Sequence, residues 1–294
     1  MSASQLLPLV EAVAAELRSA GIDASNGLGQ GTLEPFDEAA WLVLWALQLP
    51  LSTDLILAAS RPVSTEEQAR VQALVHRRIQ ERQPTAYLTG QAWLCGLPFY
   101  VDKRSIIPRS FIAELMSDAS LDVWLSEQTS RVLDLCTGNG SLAIIAALTY
   151  PQVQVDAADI CEQALQVARI NVDQHEVQER VRLIQSDGLS ACPGPYDLIL
   201  CNPPYVNAQS MAALPAEFRA EPALALAGGE DGMDFVRQLL PQVASRMSEQ
   251  AVLVLEIGHE RAHFERAFPH LAPVWLSTSA GGDQVLLLER DQLS

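Results

Sequence analysis

The stretch Asn202-Pro203-Pro204-Tyr205 closes an apolar run, Leu198 to Cys201, and its parts suit one kind of chemistry. An amide or aromatic-amine nitrogen is a poor nucleophile because its lone pair is delocalised into a carbonyl or a ring. The Asn202 side-chain oxygen and the Pro203 carbonyl can each accept one N–H bond, which fixes such a nitrogen and turns its lone pair toward an electrophile. Proline restricts the loop and removes a backbone donor, so that carbonyl is aimed at small entropic cost. Tyr205 is expected to supply a flat wall for a planar amide or base. No strong base is required, because the nitrogen turns acidic once methylated and releases its proton to water. None of the five histidines falls in these loops.

Upstream, RVLDLC (131–136) runs into TGNGSLAIIAAL. Thr137, Gly138 and Gly140 form a loop whose glycines allow a sharp turn and close approach to a ligand, and the following helix points its N-terminus into the same space. The third glycine of the dinucleotide fingerprint would fall at position 143, which is Ala, so pyrophosphate binding is disfavoured. Asp134, inside the strand, would repel phosphate. It suits a ligand's ammonium group, or it steadies the loop. Asp159 lies about 20 residues after the glycines, where an acidic residue can hold both ribose hydroxyls. Asp156, earlier in that strand, reads as structural, and Asp187, after VRLIQSD, is placed to meet an adenine amino group. An ammonium, a ribose and an adenine, met in this order at three successive strand ends, describe S-adenosylmethionine. Residues 131–205 therefore read as a site for S-adenosylmethionine-dependent N-methylation.

Such loops need a scaffold. Strands are expected at 131–136, 153–158, 181–186, 197–201 and 251–257, alternating with helices near 141–149, 162–174 and 232–247, which argues for a mostly parallel sheet covered by helices. The last runs, 274–278 and 284–289, should form an antiparallel pair joined by Gly281-Gly282-Asp283. Residues 1–88 read as a helical domain: Leu6, Val10, Val13 and Leu17 recur at helix spacing, a second helix follows Asp37 as N-cap, and Ser64 to Glu67 fits a capping box. Residues 89–110 read as a hairpin-like connector, and 111–294 as the α/β domain.

Bulk properties narrow the function. The longest apolar run, Ala39 to Leu47, falls far short of the roughly 20 residues of a membrane span. The N-terminus lacks the features of a secretory signal, so a cytoplasmic protein is expected. The five cysteines are scattered without Cys-x-x-Cys spacing, which supports neither a disulfide framework nor a metal site. A net charge of −17 disfavours gripping a phosphate backbone and favours a basic partner, although charge also serves solubility.

On these motifs the chain resembles the HemK-type protein-glutamine methyltransferases over nearly its whole length. The resemblance implies a class I S-adenosylmethionine-dependent methyltransferase fold, Rossmann-like and seven-stranded with the last strand antiparallel, after a small helical domain that recognises substrate. It also implies methyl transfer to a glutamine side-chain nitrogen. Release-factor enzymes of the family typically read Ile-Pro-Arg-Pro, then an acidic residue, Thr and Glu. Here IIPRSFIAELM, with GQAWLCGLPFYVD before it and DLCTGNG later, is closer to the branch that modifies the third protein of the large ribosomal subunit. The segments at 221–240 and 256–258 are similar to family segments near the substrate cleft. Phe111, Asn139 and Gly188 depart from that branch's usual Pro, Ser and bulkier residues.

The partner so implied is a basic ribosomal protein, with no direct nucleic acid, no membrane and no metal. The alternatives are a release factor as substrate and adenine methylation in nucleic acid. Arg109 is either a substrate contact or a salt-bridged linker residue. Glu256 is a candidate to line the cleft, and His259 reads as a turn residue.

Overall fold

Apolar residues at helix spacing give each N-terminal helix one buried stripe, and these stripes make the core of the first of two units. The computed structural model describes residues 4–23 and 26–293. The chain divides into Met1–Ala92 with Leu214–Ala220, and Trp93–Ala213 with Glu221–Ser294.

The first unit contains β1 (Ser4–Gln5), α1 (Leu6–Ser19), α2 (Pro35–Ala46), β2 (Pro62–Val63), α3 (Thr65–Gln80) and α4 (Thr85–Thr89). Leu6, Val10, Val13 and Leu17 of α1 join Leu42, Val43, Val71 and Val75 in one apolar cluster. Asp37 is not the cap of α2. The helix begins at Pro35 after Glu34, because a proline at the first helical position gives up an N–H that no intrahelical carbonyl would accept. The Ser64 box is formed: Ser64 Oγ accepts from the Glu67 amide at 3.2 Å, and Glu67 Oε2 accepts from the Ser64 amide at 2.8 Å. Arg61 and that amide hold the Glu67 carboxyl down to about 2.

Arg78, 1% exposed, is the polar centre of this unit. It donates to Glu38 at 2.5 Å, to Glu217 at 2.8 Å and to the Gly27 carbonyl at 2.7 Å. Arg82 adds a 2.6 Å ion pair to Glu217.

A hairpin of β3 (Gln91–Leu94) and β4 (Leu97–Tyr100) follows, turning at Cys95-Gly96 with positive φ at both residues. Then come α5 (Phe111–Ser117), β5 (Arg131–Leu135), α6 (Ser141–Thr149), β6 (Gln154–Asp159), α7 (Glu162–Gln174), β7 (Val181–Gln185) and β8 (Tyr196–Cys201). The chain finishes with α8 (Ala208–Ala213), α9 (Asp234–Val243), β9 (Met247–Glu256), α10 (Arg261–Ala267), β10 (Val274–Thr278) and β11 (Gly281–Glu289). Seven strands form one sheet in the order β10-β11-β9-β8-β5-β6-β7. β11 pairs antiparallel with both β10 and β9, and the pairs β9–β8, β8–β5, β5–β6 and β6–β7 are parallel.

Period-two alternation splits the core. Val132, Leu198, Leu200, Val252 and Val254 face α5, α6 and α7, whereas Leu133, Leu135, Ile199, Leu253 and Leu255 face α9 and α10. Two expected boundaries move. The β10–β11 turn is Ser279-Ala280, with Gly281 already paired to Thr278, and α9 ends at Val243 because β9 begins at Met247. Strand order reverses at β5, flanked by β6 and β8, which is where an open α/β sheet leaves a crevice at the carboxyl ends of its strands. No helix among the described residues is long and apolar enough to cross a membrane.

Candidate active site

A cavity opens at that crevice, walled by 104–106, 108–110, 135–139, 158–161 and 186–188, together with Asn202, Pro204, Pro222, Leu224, Ala225 and Phe235. Thr137, Gly138, Asp159, Asp187, Asn202, Pro204 and Arg109, all singled out in the sequence, meet in its wall. Asp134, Gly140, Pro203 and Tyr205 lie outside it.

Asp134 is fully buried. Its Oδ2 accepts from Thr137 Oγ1 at 2.5 Å and from the Ala143 amide at 3.0 Å, which steadies the loop, while its Oδ1 is buried with no hydrogen-bond partner among the described residues. Burial pushes its carboxyl up to about 7. Gly140 is needed for packing and not for ligand approach: a Cβ there would sit 3.1 Å from the Ala168 Cβ on α7. Gly138 is the residue that faces open space, with φ +55. Its amide donates to Asp159 Oδ2 at 2.9 Å while the Cys161 amide donates to Oδ1 at 2.8 Å, which orients the Asp159 carboxylate with a lone pair left on each oxygen. Burial raises the Asp159 pKa. Asp187 is exposed at the cavity mouth, beside Gly188. Asp156 is structural, accepting from Arg131, Arg182 and Tyr196 on the sheet.

On the opposite wall, Asn202 Nδ2 donates to the Arg109 carbonyl at 3.4 Å, a long bond that leaves Oδ1 turned the other way. Among the described residues no protein donor reaches that oxygen or the Pro203 carbonyl. Arg109 takes the salt-bridged reading: its Nη1 lies 2.9 and 3.0 Å from the two oxygens of Glu221, whose side chain is wholly buried. Cys136, in the cavity wall, is pushed well above the usual thiol range by its hydrogen bond with Cys201 and by burial, so it is no thiolate nucleophile.

Tyr205 is not a wall of this cavity. Its ring lies against Gly258 and its backbone against Gly228 and Gly232. A Cβ on Gly258 would stand 2.6 Å from Cε2, and one on Gly232 only 2.3 Å from the Tyr205 carbonyl oxygen. Burial, and then Glu256, push the phenol up. Gly258, at φ +55, is doubly constrained, so Gly258→Ala is expected to displace Tyr205 and cost at least about 10-fold in turnover with the thermal midpoint lowered by a few degrees. Turnover at the wild-type rate would show that the ring's position is immaterial.

Two family models match: Methyltransferase small domain over residues 116–230 and PrmC N-terminal domain over residues 9–90. The ribosomal protein uL3 glutamine methyltransferase of Bordetella pertussis is 54% identical over 275 residues, covering 92% of this chain and 91% of its own. The same-named proteins of Burkholderia pseudomallei and Neisseria meningitidis serogroup B are 47% and 46% identical, each covering 92% of this chain and 91% and 89% of their own. The chain belongs to the ribosomal protein uL3 glutamine methyltransferase family. Among solved structures, the catalytic domain of hMettl16 in complex with MAT2A 3'UTR hairpin 6 aligns with TM-score 0.52 at 14% identity, covering 77% of this chain and 81% of that one, which speaks to the fold alone.

Several residues that support the cavity wall carry no local sequence signal. Glu221 also accepts from the Ile107 amide, and Asn171, buried on α7, donates to the carbonyls of Tyr100 and Asn139 at 3.0 and 2.9 Å. Each partner lies far away in the chain. Glu256 is 2% exposed and does not line the cavity. It accepts from Ser110 Oγ at 2.6 Å and the Phe111 amide at 2.9 Å, capping α5. His259 is an exposed turn residue.

Burial raises the Glu256 carboxyl from 4.5 to about 7. The folded state therefore holds a proton that the unfolded state has lost between these values, and the Glu256 contribution to stability is full below pH 4.5 and declines as pH rises through about 7. Unfolding measured across that window should show the wild type losing on the order of 2 kcal/mol relative to Glu256→Gln. Parallel curves for the two proteins would refute this.

Proposed function

We propose that this protein transfers a methyl group from S-adenosylmethionine to the side-chain amide nitrogen of a glutamine, and that the glutamine belongs to ribosomal protein uL3. The observation that carries this reading is Asn202 Oδ1, an acceptor in the cavity wall that no protein donor among the described residues reaches, followed in the chain by the Pro203 carbonyl, which is likewise without a donor. A primary amide has two N–H groups to offer them.

The residues present fit the cofactor. Gly138 leaves space where a Cβ would stand, the Asp159 carboxylate is oriented by two amides to accept two hydroxyls, and Asp187 stands at the mouth to accept from an exocyclic amine. Ile160, half exposed beside Asp159 in the same wall, offers apolar surface to a base. When bound, S-adenosylmethionine supplies an electrophilic methyl group on a sulfonium.

The chain's own work is positioning. Asn202 and Pro203 hold both amide hydrogens, which draws electron density onto the nitrogen and keeps its lone pair directed across the cavity. Arg109 keeps Asn202 from rotating, and Tyr205, wedged among glycines, fixes the loop's far end. No histidine lines the cavity, and none is needed, because the methylated nitrogen is acidic enough to lose its proton to water. The helical unit is assigned the choice of protein partner, and the net charge of −17 suits a basic one.

The test is methyl transfer from labelled S-adenosylmethionine, with purified uL3 and a peptide-release factor offered in parallel, followed by mass spectrometry of the modified peptide. Methylglutamine on uL3 is the expected result. Label on the release factor would overturn the substrate, and label on neither would overturn the reaction. Asp159→Ala is expected to weaken S-adenosylmethionine binding about 10- to 100-fold by calorimetry, since two charge-assisted bonds are lost. Unchanged affinity would remove Asp159 from the cofactor site.

A further inference from the structure

Two of the largely exposed apolar side chains among the described residues stand in the cavity wall, Ile160 at 50% and Leu224 at 61%. Ile160 follows Asp159 at the end of β6, where the cofactor reading gives it a base to cover. Leu224 has no place in that reading.

The backbone around Leu224 is firmly held. Residues Ala223–Ala225 make one 3-10 turn, closed by the Ala225 amide donating to the Pro222 carbonyl at 3.0 Å and the Leu226 amide to the Ala223 carbonyl at 3.1 Å. Leu226 is 5% exposed, and its carbonyl accepts the Val206 amide at 2.8 Å, while the Gly228 amide donates to the Val206 carbonyl at 2.9 Å. Val206 directly follows Tyr205, so the turn is tied to the end of the acceptor loop, and the Leu224 Cα lies at most about 7 Å along the chain from that tie. All of these residues belong to the sheet-bearing unit. Of the two leucines in this short stretch, one is packed away and the other stands out into the cavity.

An isolated exposed leucine on a surface is ordinary. Leu224 differs in its company: Pro204, Pro222 and Ala225 line the same wall without a polar side-chain group, and Asn202 lines it too. An amide that reaches Asn202 Oδ1 brings its carbon stem into the cavity with it. In glutamine that stem is two methylenes, Cβ and Cγ, and their removal from water against an aliphatic side chain is favourable. We propose that Leu224 is a specificity-determining residue for methyl transfer: it packs on the Cβ–Cγ stem of the target glutamine and so favours it over asparagine, whose amide hangs on one methylene. The inference rests on the glutamine methylation proposed above, and it gives the turn after Pro222 a part in selecting the side chain that is modified.

Leu224→Ala tests it, read on a short peptide carrying the glutamine that mass spectrometry finds modified. KM for the peptide should rise about 10-fold, with kcat and the calorimetric affinity for S-adenosylhomocysteine within about 3-fold of wild type. The affinity of the peptide for the enzyme loaded with S-adenosylhomocysteine should fall by the same factor. With asparagine in place of that glutamine, kcat/KM of the wild type should be at least about 10-fold lower, and the gap should narrow in Leu224→Ala. Leu224→Met, close to leucine in volume, should restore most of the loss. Wild-type KM and peptide affinity in Leu224→Ala overturn the proposal, and so does an unaltered ratio of glutamine to asparagine, which would place the discrimination elsewhere. A wild type that methylates no glutamine overturns the reaction and this assignment with it, whereas an active wild type matched by Leu224→Ala overturns the assignment alone.

Discussion

Asn202→Ala is expected to lower kcat for glutamine methylation by about 100- to 1000-fold while affinity for S-adenosylmethionine stays within a few-fold of wild type. The asymmetry follows from what each side-chain atom does. Nδ2 makes one long bond, 3.4 Å to the Arg109 carbonyl, so its loss costs the fold little. Oδ1 has no protein donor among the described residues, and on the reading proposed above removing it takes away one of the two acceptors for the substrate amide. With the Pro203 carbonyl alone, the amide can rotate about a single bond and its lone pair returns to conjugation. Single-turnover kinetics would separate the chemical step from product release. A variant within about 3-fold of wild type in that step would remove Asn202 from the reaction.

The largest effect on stability is expected at Arg78. Replacing it with leucine leaves Glu38 without its guanidinium and Glu217 with Arg82 alone, both inside the helical unit, and strands the Gly27 carbonyl as well. Removing one partner from a buried ion pair typically costs about 3–5 kcal/mol, because the remaining charge keeps its desolvation penalty. Urea unfolding should show a low-denaturant transition of the helical unit shifted by that amount. A loss under about 1 kcal/mol would mean that water or Arg82 replaces the guanidinium. Arg78→Lys should recover only part, since one ammonium cannot reach three acceptors along a planar fork.

The sheet could be anticipated because its signal is local. Strands buried on both faces read as short β-branched and leucine-rich runs, and β5, β6, β7 and β8 fall within a residue or two of the expected 131–136, 153–158, 181–186 and 197–201. The Ser64 capping box was equally visible, since its partners stand three residues apart. The start of α2 was misplaced because Asp37 is a better capping type than Glu34, yet Pro35 between them fixes the first turn. The start of β9 was missed because Ser248, Glu249 and Gln250 lack strand character, and part of what holds them is Ser248 bonding Asp197 on β8.

At the site, residue type and order pointed to the cavity wall formed by Gly138, Asp159, Asp187 and Asn202. Patterns of that kind could not separate a residue that lines the cavity from one packed behind its wall, and Asp134, Gly140 and Tyr205 lie outside the lining. The Glu221–Arg109 pair joins residues 112 positions apart, and no periodicity encodes such a meeting.

The place of β11 bears on how the protein can be made. The strand formed last in the chain is not at the sheet's edge but between β10 and β9, and its Val285, Leu286, Leu287 and Leu288 are wholly buried. Until residues 281–289 have left the ribosome, β9 shows an unpaired row of backbone groups and an apolar flank next to β8, the strand that carries Asn202 at its end. A chain that ends before Gly281 therefore leaves β9 with an open, apolar edge one strand away from the strand that carries Asn202.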